Sequence, residues 1–264
     1  MAIPHIIHYC WFGGNEKPDN IKAFIQGWKE KLPDYTFVEW SESNFSIDEA
    51  PEYVKEAYSV KKYAFVSDYA RFDILFQHGG IYFDTDVEVI KKLEPIIDKG
   101  TFAGCETAGL LNTGLGFGTE PHLKIIQEIL NSYSNDCFIK KDGSFNTKTV
   151  VERVSKIFYK HGFLHKDIKQ NVAGFTIYPT EYFCPKSFQS GKLTITENTY
   201  TIHHFDSSWC NSEEKKIMDY YRRMQQKYPF IIATLLMYIF GLKLRLREIG
   251  MKRTISHYKN QIFK

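Results

Sequence analysis

A run that reads as helix from Lys61 to His78 stops at Gly79-Gly80 and passes straight into Ile81-Tyr82-Phe83-Asp84-Thr85-Asp86-Val87-Glu88-Val89. This junction constrains the fold more than any other stretch. Glycine suits a helix end that closes in a left-handed cap, and the apolar residues after it read as a buried strand. A helix feeding a strand is the building step of an α/β sheet. In an extended strand alternate side chains share a face, which puts Asp84 and Asp86 on one side and Phe83, Thr85 and Val87 on the other. Two carboxylates converging on one volume repel one another unless a proton or a cation intervenes. Oxygen ligands at a strand end suit a hard divalent ion that shares a phosphate. Chance supplies roughly 0.6 Asp-x-Asp pairs in a chain with 13 Asp among 264 residues, so the pair draws its meaning from its surroundings.

Those surroundings alternate strand and helix. Residues 3–12 form an apolar, aromatic run ending at Gly13-Gly14, a first buried strand with Trp11 at its carboxyl lip. Ligands of open α/β sheets bind beyond the carboxyl ends of strands, so Trp11 either stacks on a nucleobase or packs over the sheet edge. Ile21, Phe24, Ile25, Trp28 and Leu32 mark an amphipathic helix stopped by Pro33, and Tyr35 to Trp40 reads as a second strand. In the 61–78 helix Asp68, Arg71 and Leu75 share one face. That spacing is most often a surface ion pair, but here the helix runs into the Asp84 strand and its charged face borders the same cleft. A Gly-rich region from Gly104 to Gly118 contains Asn112. Helices are expected over His122 to Tyr133 and Lys148 to His161, and strands over Phe175 to Phe183 and Leu193 to Thr201, before His203-His204 and the run to Trp209.

A hydrophobic share of 43% is ample for a core, and no internal repeat or low-complexity linker divides the chain. Five scattered cysteines without a Cys-x-x-Cys spacing argue for a reducing compartment and against a zinc site. No basic-then-apolar leader and no stretch of membrane-spanning length is evident. The net charge of +3 conceals a basic tail, since Lys215 to Lys264 holds 12 Lys or Arg against Asp219 and Glu248.

Three stretches taken together carry a resemblance: Ile7 to Gly14, then Ser67-Asp68-Tyr69-Ala70-Arg71 continuing through Gly79-Gly80 to Asp84-Thr85-Asp86, then His204 to Trp209. The chain resembles the Asp-x-Asp sugar-binding glycosyltransferases of the family 32 type, which include capsular polysaccharide enzymes and yeast α-mannosyltransferases. It is more distantly similar to the catalytic domains of large glucosylating cytotoxins. The resemblance implies a GT-A fold: a Rossmann-like α/β domain with a mainly parallel central sheet flanked by helices. It further implies a nucleotide-diphosphate sugar donor, most simply a UDP-sugar, Mn²⁺ or Mg²⁺ as cofactor, and retention of anomeric configuration.

By the same resemblance Trp11 stacks on the base, Asp68 and Arg71 hold the donor sugar, and Tyr82 lies near the phosphate or glycosidic oxygen. Asp84 contacts ribose and sugar, Asp86 binds the metal, and Asn112 touches the sugar. The last block departs from the toxin pattern, with His204 in place of an acidic residue. His204 with Ser207 is expected on the metal, Trp209 and Ser207 at the diphosphate, and His203, on the opposite face of an extended segment, reads as structural.

The expected organisation is a catalytic domain over 1–210 and a basic, partly apolar helical extension over 211–264. Tyr228 to Leu242 is too short to span a bilayer, and Lys243, Arg245, Arg247, Lys252 and Arg253 follow it. It either lies on an anionic membrane surface or packs on the core. The expected activity is transfer of a hexose to a glycan or lipid-linked acceptor in surface polysaccharide synthesis, in the cytoplasm or on the inner membrane face, with no nucleic acid partner. The competing classes are a non-catalytic sugar-nucleotide or glycan-binding module and a metal-dependent phosphoryl or nucleotidyl enzyme.

Overall fold

The structure, a computed structural model, describes residues 2–206 and 212–262. In chain order the elements are β1 (Ile6–Cys10), α1 (Asp19–Lys31), β2 (Thr36–Trp40), α2 (Glu52–Ser59), α3 (Tyr63–His78), β3 (Gly80–Tyr82) and β4 (Val87–Val89). There follow α4 (Glu94–Ile97), β5 (Phe102–Thr107), β6 (Leu110–Asn112), β7 (Phe117–Thr119), α5 (Lys124–Asn131), α6 (Val150–Lys160), β8 (Gln170–Val172) and β9 (Phe175–Tyr178). The chain closes with α7 (Thr180–Phe183), β10 (Thr201–His203), α8 (Ser212–Gln225) and α9 (Phe230–Ile262).

The central sheet runs β2-β1-β3-β7-β5-β9-β8, with β6 on β5, while β10 and β4 form a separate antiparallel pair. The β2-β1-β3 half is parallel, in register Cys10↔Trp40 and His8↔Tyr82. That register fixes where chemistry can occur, because the carboxyl ends of β1 and β3 emerge side by side, carrying Trp11 from one and Asp84 from the other. β5 and β9 are also parallel, and β7, β6 and β8 enter antiparallel.

Helix α3 crosses from β2 to β3, burying Phe65, Val66, Phe72, Ile74 and Leu75 and ending where the sequence places its stop. Gly79 and Gly80 both have positive φ, +63° and +98°. A Cβ on Gly79 would lie 2.8 Å from Pro121, and one on Gly80 2.8 Å from the Ile6 carbonyl, so the junction admits no side chain at either position. On the other side of the sheet α1 buries Ile21, Ile25 and Trp28. The Trp28 indole N–H donates to the Val87 carbonyl at 2.7 Å, tying that helix to β4. Burying a side chain of this size stabilises by about 1.5–3 kcal/mol, and the hydrogen bond fixes where β4 lies.

Three strand expectations are corrected. Phe175 to Phe183 is strand only to Tyr178, since Thr180–Phe183 coils into α7. Ile81 to Val89 is not one strand: β3 ends at Tyr82, residues 83–86 turn, and β4 joins the other sheet. Leu193 to Thr201 is extended only at its end, in β10. Leu193 and Ile195 are exposed, and side-chain bonds among Thr196, Thr199 and Glu181 hold the segment as a turn, so its alternation has no sheet face to bury.

His8, in β1, illustrates how the core titrates. Trp40 Nε1–H donates to its Nδ1 at 3.0 Å, which assigns the proton to Nε2, and that nitrogen donates to the Gly79 carbonyl at 3.0 Å. Both ring nitrogens are thus committed in the neutral form. Burial lowers the His8 pKa to about 4, the Gly79 carbonyl opposing and the neighbouring His78 adding to the shift. Above pH 6.5 neither folded nor unfolded chain is protonated here and the group contributes no pH dependence. Below it the unfolded chain takes up a proton that the folded chain refuses. Stability is therefore expected to fall as pH drops from about 6.5 to about 4, by about 3 kcal/mol from this group. Urea unfolding at both ends of that window checks it: His8→Gln should flatten the dependence, and an equally steep slope in the variant would assign it elsewhere.

The chain divides into two compact units, one comprising residues up to 186 with 194–206, the other 187–193 with the chain after 206. In the second, α8 and α9 pair as a helical hairpin. Tyr220 stacks on Phe240 with ring centroids 4.1 Å apart, Gly241 lies against Ile217, and Arg222 donates to the Phe188 carbonyl. Among the described residues no helix is long and apolar enough to cross a membrane.

Candidate active site

The site is built on the turn that separates β3 from β4. Asp84 N–H donates to the Gly114 carbonyl at 2.8 Å, and Val87 N–H returns to the Asp84 carbonyl at 3.1 Å, so the chain reverses within three residues. The turn brings the Asp84 and Asp86 carboxylates together, as the extended reading also expects, by a different local geometry. β10 runs antiparallel to β4 with His203 opposite Val87. His203 Nε2 lies 3.1 Å from Asp86 Oδ1 and 3.8 Å from Asp84 Oδ2, and one ligand atom from each of the three residues lies within 4.8 Å of the other two.

The histidine of this cluster is His203, which corrects the expectation of His204. His204 faces the other way: its ring stacks on Phe24 at 4.7 Å and its Nε2 is 2.8 Å from Glu88 Oε2. Strand alternation does send the two imidazoles to opposite faces. The register of β10 on β4 decides which of them meets the aspartates, and residue spacing along one chain does not reveal that register. Ser207 and Trp209, expected at the metal and the diphosphate, lie outside the described residues.

Burial acts to raise the Asp86 carboxyl, but the charge and hydrogen bond of His203, with the Asp206 N–H at 2.8 Å, outweigh it and hold the group well below the usual carboxylate range. His203 is correspondingly raised: burial opposes its charge, and the two aspartates more than offset that. Two carboxylates and an imidazole form a donor set that suits a borderline or hard divalent cation.

Beside this cluster stands a second one, centred on Arg71. The guanidinium is 3% exposed, yet it is fully engaged. Its Nη2 lies 2.8 Å from Asp68 Oδ1 and 3.2 Å from Asp84 Oδ1, Nη1 reaches Thr113 Oγ1, Nε donates to the Ser67 carbonyl, and the plane covers the Tyr82 ring at 4.7 Å. Asp84 thereby has one oxygen toward Arg71 and the other toward His203, so it is the shared residue of the two clusters. Burial raises the Asp68 carboxyl to about 6, with Arg71 pulling it down and Asp84 pushing it up.

Tyr82 requires a further correction. It is 1% exposed and lies beneath Arg71 with its hydroxyl toward the Cys10 thiol, so it supports the guanidinium instead of offering a phenol to a ligand. The turn after Tyr82 breaks the alternation that would have placed it on the Asp84 face. Asn112 lies at the end of β6, where its Oδ1 accepts from Gly114 N–H at 2.8 Å and its amide donates to Glu106 Oε2 at 2.7 Å. Trp11 stands at the lip of β1, its indole N–H on the Asn15 carbonyl and Lys17 Nζ 5.6 Å from its ring centroid.

Sequence reasoning missed three participants. Thr113 orients Arg71, and Glu106 anchors Asn112. Gly114 leaves room for the Asp84 carboxylate, since a Cβ there would stand 1.8 Å from Asp84 Oδ2. The only signal for Gly114 was its place in a Gly-rich run, which does not say which glycine is indispensable.

Residues 18–103, which contain Asp68, Arg71, Asp84 and Asp86, match the family model described as the glycosyltransferase sugar-binding region containing the DXD motif. Over these residues the chain is similar to the sugar-binding region of the DXD glycosyltransferases. Among its relatives, inositol phosphoceramide mannosyltransferase 3 of Schizosaccharomyces pombe is 28% identical over 138 residues, covering 49% of this chain and 37% of that protein. The uncharacterized glycosyltransferase L373 of Acanthamoeba polyphaga mimivirus is 33% identical over 109 residues, covering 38% and 42%. The chain thus spans less than half the length of these relatives. Among solved structures, PaToxG glycosyltransferase is 21% identical with a TM-score of 0.47, over 60% of this chain and 69% of that one.

Proposed function

We propose that the protein is a GT-A type glycosyltransferase that moves a hexose from a nucleotide-diphosphate sugar to a glycan or lipid-linked acceptor with retention of configuration. The observation that carries this reading is the pairing of Asp84, Asp86 and His203 with the Asp68-Arg71 pair, through Asp84 as the common residue. One cluster has the composition of a divalent-cation site, the other that of a hydroxyl-binding pair, and a sugar joined to a diphosphate needs both.

Asp84, Asp86 and His203 would hold Mn²⁺ or Mg²⁺, which when bound offsets the negative charge that grows on the departing diphosphate. Arg71 cannot reorient, because four partners and the Tyr82 ring fix it. It holds Asp84 in place and leaves Asp68 as an acceptor for a sugar hydroxyl. Asn112, itself fixed by Glu106, supplies a further polar contact on the sugar side. Trp11, on the neighbouring strand end, would cover the base.

Each carboxylate near the sugar side is already bonded: Asp68 and Asp84 to Arg71, Glu106 to Asn112. This favours front-face attack, in which the acceptor hydroxyl enters on the side the diphosphate leaves and passes its proton to it, over a covalent sugar intermediate. The sugar-nucleotide-binding module is the second reading, since it would need the same cleft.

The test is release of nucleoside diphosphate from UDP-glucose, UDP-galactose, their N-acetyl forms and GDP-mannose, the last included because two relatives are named mannosyltransferases. Release from one donor that depends on Mn²⁺ or Mg²⁺ is expected. Binding without release from any donor would favour the module.

A further inference from the structure

We infer that α9 is a membrane-surface helix whose outward stripe seats in the interface of an anionic bilayer. The helix is apolar on two opposite sides. One side is accounted for by α8: Ala233 is fully buried, Phe240 stacks on Tyr220, and Gly241 lets the two helices approach at Ile217. The other side is exposed among the described residues. Ile231, Leu235, Tyr238, Leu242 and Leu246 follow the i, i+4, i+7, i+11, i+15 spacing of one helical face, and Ile231, Leu235 and Tyr238 are 80%, 60% and 62% exposed. At about 1.5 Å of rise per residue the stripe is about 22 Å long. Phe230 and Tyr228 at the amino end are also exposed.

An apolar stripe of this length is not left to water without cause, and its borders indicate what covers it. At about 100° per residue, Lys243 borders the stripe on one edge, with Arg247 further round on the same flank, and Arg245, bonded to Glu213, borders it on the other. Cationic side chains on both edges of an apolar face are the arrangement in which aliphatic stems lie over lipid while the charges reach phosphates. The chain from Lys215 onward carries 12 Lys or Arg against two acids. That excess disfavours a second copy of the chain as occupant, because docking stripe on stripe would bring like charge against like, whereas an anionic surface is attracted by it. A helix whose apolar run to Leu242 is followed at once by Lys243, Arg245 and Arg247 lies on a bilayer and does not cross it, in keeping with the absence of a spanning helix among the described residues.

Co-sedimentation of the full chain with vesicles tests this independently of any sugar-transfer activity. Binding to mixed phosphatidylcholine and phosphatidylglycerol vesicles is expected to exceed binding to pure phosphatidylcholine, and to weaken as salt rises. The double variant Leu235→Ser, Leu242→Ser should lose about tenfold or more of its partitioning, with an unchanged circular dichroism melt because both positions are exposed. Lys243→Gln with Arg247→Gln should remove the preference for anionic lipid while retaining part of the binding. Failure of the wild-type chain to sediment with anionic vesicles, undiminished binding by the serine variant, or a dimer in sedimentation velocity that the serine variant abolishes without any vesicle binding would each overturn the inference.

Discussion

Asp86→Asn is expected to reduce turnover of the sugar nucleotide by at least about a hundredfold and to remove the response to divalent metal. The size of the effect follows from what holds Asp86. One oxygen faces His203 and the other accepts the Asp206 N–H, and the group stays ionised despite burial. An amide can keep the shape and one hydrogen bond but supplies no charge to a cation. Thermal melts separate lost chemistry from lost fold. Saturating Mn²⁺ should raise the wild-type melting temperature by about 5 °C or more, because a ligand at a hundred times its dissociation constant stabilises by about 2.7 kcal/mol. The same addition should leave Asp86→Asn unmoved, and an equal shift in both proteins would remove Asp86 from the site.

Gly114→Ala is the second large expectation, and it comes from a residue with no functional group. Its backbone carbonyl accepts the Asp84 N–H while its Cα faces the Asp84 carboxylate, so an added methyl group would stand 1.8 Å from Oδ2. Either the loop or the carboxylate must move. A displacement of the order of 1 Å in a shared ligand costs about a hundredfold in rate, and relief of the overlap costs about 1–3 kcal/mol of stability. The measurement is turnover beside a thermal melt. A variant with near-normal turnover would show that Asp84 has latitude the site geometry denies it.

Much of the site was legible because it is local. Asp68 and Arg71 are one helical turn apart, and the Gly79-Gly80 stop ends α3 where the next strand begins, so residues 61–80 announce their arrangement without reference to the rest of the chain. Helix α1 was legible for the same reason, through Ile21, Ile25 and Trp28. Features that depend on pairing between distant segments were not. A strand and a tight turn both bring the carboxylates of residues i and i+2 together, so Asp84 and Asp86 gave no sign that β3 ends at Tyr82. That break then put Tyr82 under Arg71 and out of the cleft. The choice between His203 and His204 rests on how β10 registers against β4, over a hundred residues away. The antiparallel entries of β6, β7 and β8 into the sheet likewise have no local signature. The apolar run of α9 could not be divided in sequence into a side that meets α8 and a side that does not, because both sides are apolar.

The chemistry of the site turns on which histidine completes the aspartate pair. Mn²⁺-dependent release of nucleoside diphosphate, measured side by side in His203→Gln and His204→Gln, addresses it directly. His203→Gln is expected to lose the metal-stimulated release, while His204→Gln, altered only in a ring that stacks on Phe24 and meets Glu88, should stay within a few-fold of the parent protein. Loss in His204→Gln with His203→Gln unaffected would contradict the site as described.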